Sequence, residues 1–131
     1  LVDSKKIEDW FNMAKKDFKG AKILYEHGGD YYLICFHCQQ AIEKYLKGYL
    51  ISKTGVINEG HSLVKLCKEA QKYNENFKNF LKDCALVNSY YIETRYPAEE
   101  PLYVEEEEVL ECMRITEEIM NFIDKLVQEK N

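Results

Sequence analysis

Apolar residues recur at the helical period of about 3.6 along almost the whole chain. Ile7, Trp10, Phe11, Ala14, Phe18, Ala21, Leu24 and Tyr25 share one face, which predicts a helix from about Lys5 to Glu26 with Ser4 as its N-cap. His27-Gly28-Gly29-Asp30 stops it, because glycine adopts the left-handed C-cap conformation at low cost. A second helix is expected over about Tyr31 to Lys53, with Ile34, Cys38, Ala41, Ile42, Tyr45, Leu46 and Tyr49 as its buried arc. Thr54 to Gly60 reads as a connection. Ser62 is positioned to cap a third helix carrying Leu63, Leu66, Cys67 and Ala70.

Asn74-Glu75-Asn76 breaks or bends the chain before a fourth segment with Phe77, Phe80, Leu81, Cys84, Val87 and Tyr91 at helical spacing. Pro97 disfavours helix at the residue before it, so this segment is expected to end at Tyr96, with a loop from Pro97 to Pro101. The last helix is expected to start near Val104 and to bury Val109, Cys112, Met113, Thr116, Ile119, Met120, Ile123 and Leu126. No segment alternates with period two, and no internal repeat occurs. The pattern implies an all-α protein: an antiparallel up-and-down four-helix bundle with an additional short helix.

Composition narrows the class further. With 131 residues the chain is expected to form a single domain, residues 1–131, able to bury a core without metal or disulfide staples. Its 46% apolar and 31% charged content belongs to an ordinary globular protein. The apolar runs are too short for a membrane span. No charged–apolar–small leader pattern opens the chain, which begins at Leu1, and the expected location is cytoplasmic.

The net charge of −5 argues against a general nucleic-acid coat. Lysines crowd the first segment, and Glu105 to Glu108 form an acidic run where a helix N-terminus favours negative charge. Five cysteines cannot all pair within one chain, and they read as small buried apolar residues. Cys35 and Cys38 form a C-x-x-C, but neither a second knuckle for zinc nor a βαβ pattern for redox chemistry accompanies them. No metal site and no cofactor is expected.

Candidate chemistry gathers on the second helix. Gln40, Glu43 and Lys47 fall within roughly 60° of one another on a helical wheel, opposite the apolar arc. Read blandly, Glu43 and Lys47 are an exposed ion pair worth about 0.3–0.5 kcal/mol; read functionally, the three line a polar cleft. His61 can cap a helix, bind an anion or titrate near neutrality. Arg95 can satisfy the carbonyls at a helix end, or hold a phosphate or a partner's carboxylate in its planar fork. Tyr90, Tyr91 and Tyr96 around it could stack on a base or pack a core or an interface. Gly-rich phosphate loops, nucleophile elbows and paired-aspartate motifs are all absent from the sequence.

Ala14-Lys15-Lys16-Asp17-Phe18, then Phe36 through Gly48 with Gln39-Gln40-Ala41-Ile42-Glu43-Lys44-Tyr45-Leu46-Lys47, then His61-Ser62-Leu63 and Thr94-Arg95-Tyr96-Pro97 occur in an order that resembles the HEPN family. The resemblance covers nearly the whole chain. It implies a four- or five-helix bundle, like the substrate-binding subunits of nucleotidyltransferases, that commonly dimerises. Such proteins are often encoded beside a minimal nucleotidyltransferase in a toxin–antitoxin-like pair.

Many members of the family are metal-independent ribonucleases, with an Arg, four to six intervening residues and a His, and a Glu-x-x-x-Lys/Arg pair on an earlier helix. Glu43 and Lys47 match that pair and Arg95 matches the arginine. The His is missing, since positions 100 to 102 are Glu100, Pro101 and Leu102. The His-x-Tyr acceptor that partner enzymes adenylylate in some toxins is missing with it, and His61 lies on the wrong side of the motif.

The resemblance therefore implies a non-catalytic homodimer with no catalytic residues. It would bind a nucleotide, an RNA or a minimal nucleotidyltransferase through Gln40, Glu43, Lys44, Lys47, His61, Arg95 and Tyr96. The alternatives are a ribonuclease with a rearranged site built from Arg95, Glu43, Lys47 and His61, and a purely structural adaptor. Arg95 is expected in a cleft with Glu43 as its carboxylate partner.

Overall fold

The computed structural model describes residues 4–91 and 103–129. Within them the protein is all-helical, as the periodicity implies: α1 (Ser4–Glu26), α2 (Tyr31–Thr54), α3 (Leu63–Gln71), a 3-10 turn (Glu75–Phe80), α4 (Leu81–Asn88) and α5 (Glu106–Gln128). Ser4, expected as a cap, lies inside α1. The glycine pair ends that helix as anticipated. Gly28 takes φ +72°, and the Gly29 N–H reaches back to the Leu24 carbonyl at 2.6 Å. Asp30 belongs to the next element instead of the stop, accepting the Leu33 N–H at 2.8 Å as the N-cap of α2. Ser62 caps α3 by accepting the Lys65 N–H.

α5 begins at Glu106, slightly later than expected, and its acidic start is a capping box. Glu105 accepts the N–H of Glu108, and the Glu108 carboxylate accepts the Glu105 N–H at 2.8 Å. That backbone bond, with one from the Tyr90 hydroxyl, holds the Glu108 carboxyl below its usual range. Glu106 accepts the Tyr25 hydroxyl at 2.8 Å, which ties α1 to α5. The acidic run is thus largely built into the end of the bundle.

The fourth segment departs from expectation. Its first turns are 3-10, and α4 ends at Asn88 instead of running on to Tyr96. Ser89, Tyr90 and Tyr91 N–H groups bond to carbonyls three residues back, tightening the chain out of the α-helix. The Asn88 side chain is meanwhile drawn to the Leu63 N–H at 3.0 Å.

α2 is the axis of the molecule. It packs against α1, α3, α4 and α5, and almost every residue from Ala41 to Ile51 is buried. This corrects the sequence-based picture of an amphipathic helix with one polar face. At Gly48 the neighbouring α1 comes so close that a Cβ would stand 2.9 Å from the Phe11 ring. Tyr45, fully buried, reaches Asp124 on α5 with its hydroxyl at 2.9 Å. All five cysteines are buried and unpaired, as core residues should be. Burial pushes the Cys38 thiol up to about 12, which makes it inert.

Candidate functional site

Among the described residues, three of the four polar side chains buried in the core lie on one line of α2, four positions apart: Gln39, Glu43 and Lys47. Lys47 donates to Glu43 Oε2 at 3.1 Å, and its ammonium stands 5.9 Å from the centre of the Trp10 ring. The pair is only 5–6% exposed, so it is neither the surface ion pair of the bland reading nor an open cleft. A buried ion pair is weak evidence for stability, because desolvation offsets most of its attraction. What the pair supports is therefore the question.

It supports His61. The ring presents Nδ1 to both carboxylate oxygens of Glu43 at 3.1 Å. A carboxylate already paired with Lys47 can only accept, so Nδ1 carries the proton. Tyr91 stacks on the ring, with centroids 4.6 Å apart and planes at 21°. The Gln39 side-chain amide donates both to Glu43 Oε1 at 3.3 Å and to the His61 carbonyl at 3.2 Å, fixing the backbone beneath the ring. His61 is nevertheless open on its outer side, 47% exposed, at the rim of a groove of about 420 Å³ between the 58–62 turn and α3. Gly60, at φ +94°, makes the turn that delivers it.

The network continues away from the turn. Gln40 donates to Gln39 Oε1 at 2.8 Å, Lys44 donates to Gln40 Oε1 at 3.3 Å, and Lys44 also donates to Asp17 on α1 at 2.6 Å. Every link from Lys44 through the two glutamines points its donor toward Glu43, the terminal acceptor. Such a chain is favourable only when every member is satisfied, and the members from Lys44 to Glu43 all are.

The structure thus brings together five of the residues singled out in the sequence: Gln40, Glu43, Lys44, Lys47 and His61. Lys44 enters as a strut between α1 and α2. Arg95 and Tyr96 lie outside the described residues, and so does the expected Arg95–Glu43 contact. Gln39 and Asp17 belong to the network and are not among the candidate site residues, and Tyr91, read from the sequence as able to stack on a base or to pack a core or an interface, stacks on His61. The three polar residues spaced four apart, Gln39, Glu43 and Lys47, are the available signal. Among the described residues no group of His, Cys, Asp and Glu is placed to hold a metal ion. No helix among them is long and apolar enough to cross a membrane.

Comparison with known proteins gives the network a setting. A family model described as the HEPN domain matches residues 7–126. The crystal structure of TT1696 from Thermus thermophilus is similar, with a TM-score of 0.81 and 26% identity over 92% of this chain and 97% of that one. The crystal structure of ST0689, an archaeal HEPN homologue, is similar with a TM-score of 0.74, also at 26% identity and with the same coverage. A comparison with curated proteins returns no match.

Proposed function

This chain belongs to the HEPN domain family, and on that premise we propose that it is a non-catalytic homodimeric subunit that binds a nucleotide and assists a separately encoded minimal nucleotidyltransferase. The observation that carries this reading is the His61 ring. It is fixed by Glu43 and Tyr91 on its inner side and open to ligand on the outer. Glu43 and Lys47 are too buried to touch a ligand broadly, so they act by holding His61. The family's acid–base histidine is replaced by Glu100, Pro101 or Leu102, which removes the usual route to turnover. Light scattering on a size-exclusion column should report two chains per particle, and the protein should co-purify with the nucleotidyltransferase of the neighbouring gene. A monomer with no affinity for that enzyme would refute the proposal.

The same geometry favours a second reading. A histidine whose Nδ1–H is tied to a carboxylate keeps its Nε2 lone pair free, as a general base requires. Nε2 would take the proton of an RNA 2′-hydroxyl as that oxygen attacks phosphorus and the bond to the 5′-oxygen breaks, the 5′-oxygen leaving as a hydroxyl with a proton from water and the 2′-oxygen closing a cyclic phosphate. Single-stranded and structured RNA incubated in chelator with wild type, His61→Ala and Arg95→Ala tests this. RNA left intact by wild type, or cleaved by both variants as fast as by wild type, rules the site out.

A further inference from the structure

We propose that the groove between the 58–62 turn and α3 is a subsite for a phosphomonoester, held by Lys65, Lys68 and the Nε2 edge of His61. The proposal rests on the reading of the His61 centre as ligand-binding and assigns that ligand its anionic end. The groove, about 420 Å³, is of small-ligand size, and Asn58, Gly60 and Ser62 form part of the wall beside these three residues.

Charge gives the class of ligand. Lys65 and Lys68 are exposed one turn apart on the same face of α3, a like-charged spacing that disfavours the helix slightly. Among the described residues neither makes an ion pair. Glu69, on the same wall, is engaged by Lys72 at 3.0 Å. Glu59 is the remaining acid there, so among the described residues two ammonium groups without an ion-pair partner face one such carboxylate.

The helix end is largely committed elsewhere. The Leu63 N–H is taken by Asn88 at 3.0 Å and the Lys65 N–H by Ser62 at 3.2 Å. With two of the first N–H groups of α3 already taken, the charged side chains carry the larger part of the grip. Two mobile point charges fit a rounded, doubly charged phosphate better than a planar carboxylate, which favours the fork of arginine. His61 adds direction. Its Nδ1–H is committed to Glu43 and its face to Tyr91, so Nε2 is the ring nitrogen left for a ligand in the groove: as a lone-pair acceptor it takes the hydroxyl of a singly protonated phosphate, and as part of an imidazolium it donates to the dianion.

The test is calorimetric titration at low salt with inorganic phosphate, adenosine 5′-monophosphate, adenosine, and a short oligoribonucleotide with and without a 5′-phosphate. Wild type is compared with the Lys65→Gln/Lys68→Gln double variant and with His61→Ala. Both lysines are exposed, and an unchanged helical circular dichroism spectrum confirms folding of the double variant. The expected result is saturable binding of the phosphorylated probes, weakened about tenfold or more in the double variant and absent for adenosine. Preference for the mononucleotide, the oligomer or phosphate alone then identifies the source of the group. Affinity unchanged in the double variant but lost in His61→Ala overturns the groove and keeps the His61 centre. No saturable binding by wild type overturns both.

Discussion

Removing Lys47 alone would strand the Glu43 carboxylate in the core, and breaking a buried pair in this way costs about 3–5 kcal/mol. Replacing both partners with apolar residues of similar size is often close to neutral. Lys47→Met should therefore lower the unfolding free energy in urea by about 3 kcal/mol, and Glu43→Leu/Lys47→Met should recover part of that loss, the remainder reflecting the Gln39 amide and His61 Nδ1–H that lose Glu43 as acceptor. A double variant as unstable as the sum of its singles would show that the two charges are not coupled. The double variant should also lose the alignment of His61, which separates stability from ligand binding.

Tyr45 offers a pH-dependent case. Burial, and then the bond to Asp124, raise its phenol above the ordinary value of 10.0. The folded state thus favours the protonated ring. That contribution is intact below the pKa of the unfolded chain and is lost as pH climbs above it. Tyr90 is raised for the same first reason, with Glu108 in place of Asp124. Tyr45→Phe should lose about 1 kcal/mol near neutrality through the missing hydrogen bond, yet decline less than wild type as the pH rises above about 10. Parallel pH profiles would contradict the assignment. At this scale the sequence was partly legible. Glu43, Lys47 and His61 were recognisable, but Gln40 was picked where its neighbour Gln39 is the fully buried member. One residue is 100° on a wheel, and only the packing around α2 decides which glutamine faces inward.

Two glycines in helix interiors make opposite demands on their elements. Gly48 lies where α1 crosses α2, and a methyl group there would displace the Phe11 ring from its tilted stack on Tyr45, whose centroid is 4.8 Å away. Gly20, on α1, has no atom within 4 Å of a would-be Cβ. Gly20→Ala should stabilise the protein by about 0.5–1 kcal/mol through helix propensity alone. Gly48→Ala should destabilise it by about 1 kcal/mol, since overpacking of about 1–3 kcal/mol exceeds the same propensity gain. Thermal melts of the two variants shifting in the same direction would sink this account. Helix number, order and most ends were legible from periodicity and caps, because those signals are local. The end of α4 was not. It is set by Asn88 reaching across to Leu63 and by the tightening of the following turn, interactions that no pattern within the segment reveals.

For the molecule as a whole, the all-helical class followed from the spacing of apolar residues, whereas the central place of α2 did not. A helix buried on most sides carries polar residues only where other parts of the chain satisfy them, and those partners come from α1 and the turn before α3. The bundle is thus wound around the helix that also holds the candidate site. Because α1, α3, α4 and α5 all rest on it, α2 can be exposed only when several of them leave together. Its amides around Glu43 should accordingly exchange with deuterium at the rate set by global unfolding, and those of the short, peripheral α3 far sooner. A ligand seated against Lys65 and Lys68 would then slow exchange in α3 by tens-fold while leaving α2 nearly as it was, so that binding would be read out as a change in the breathing of the rim against an axis that does not breathe.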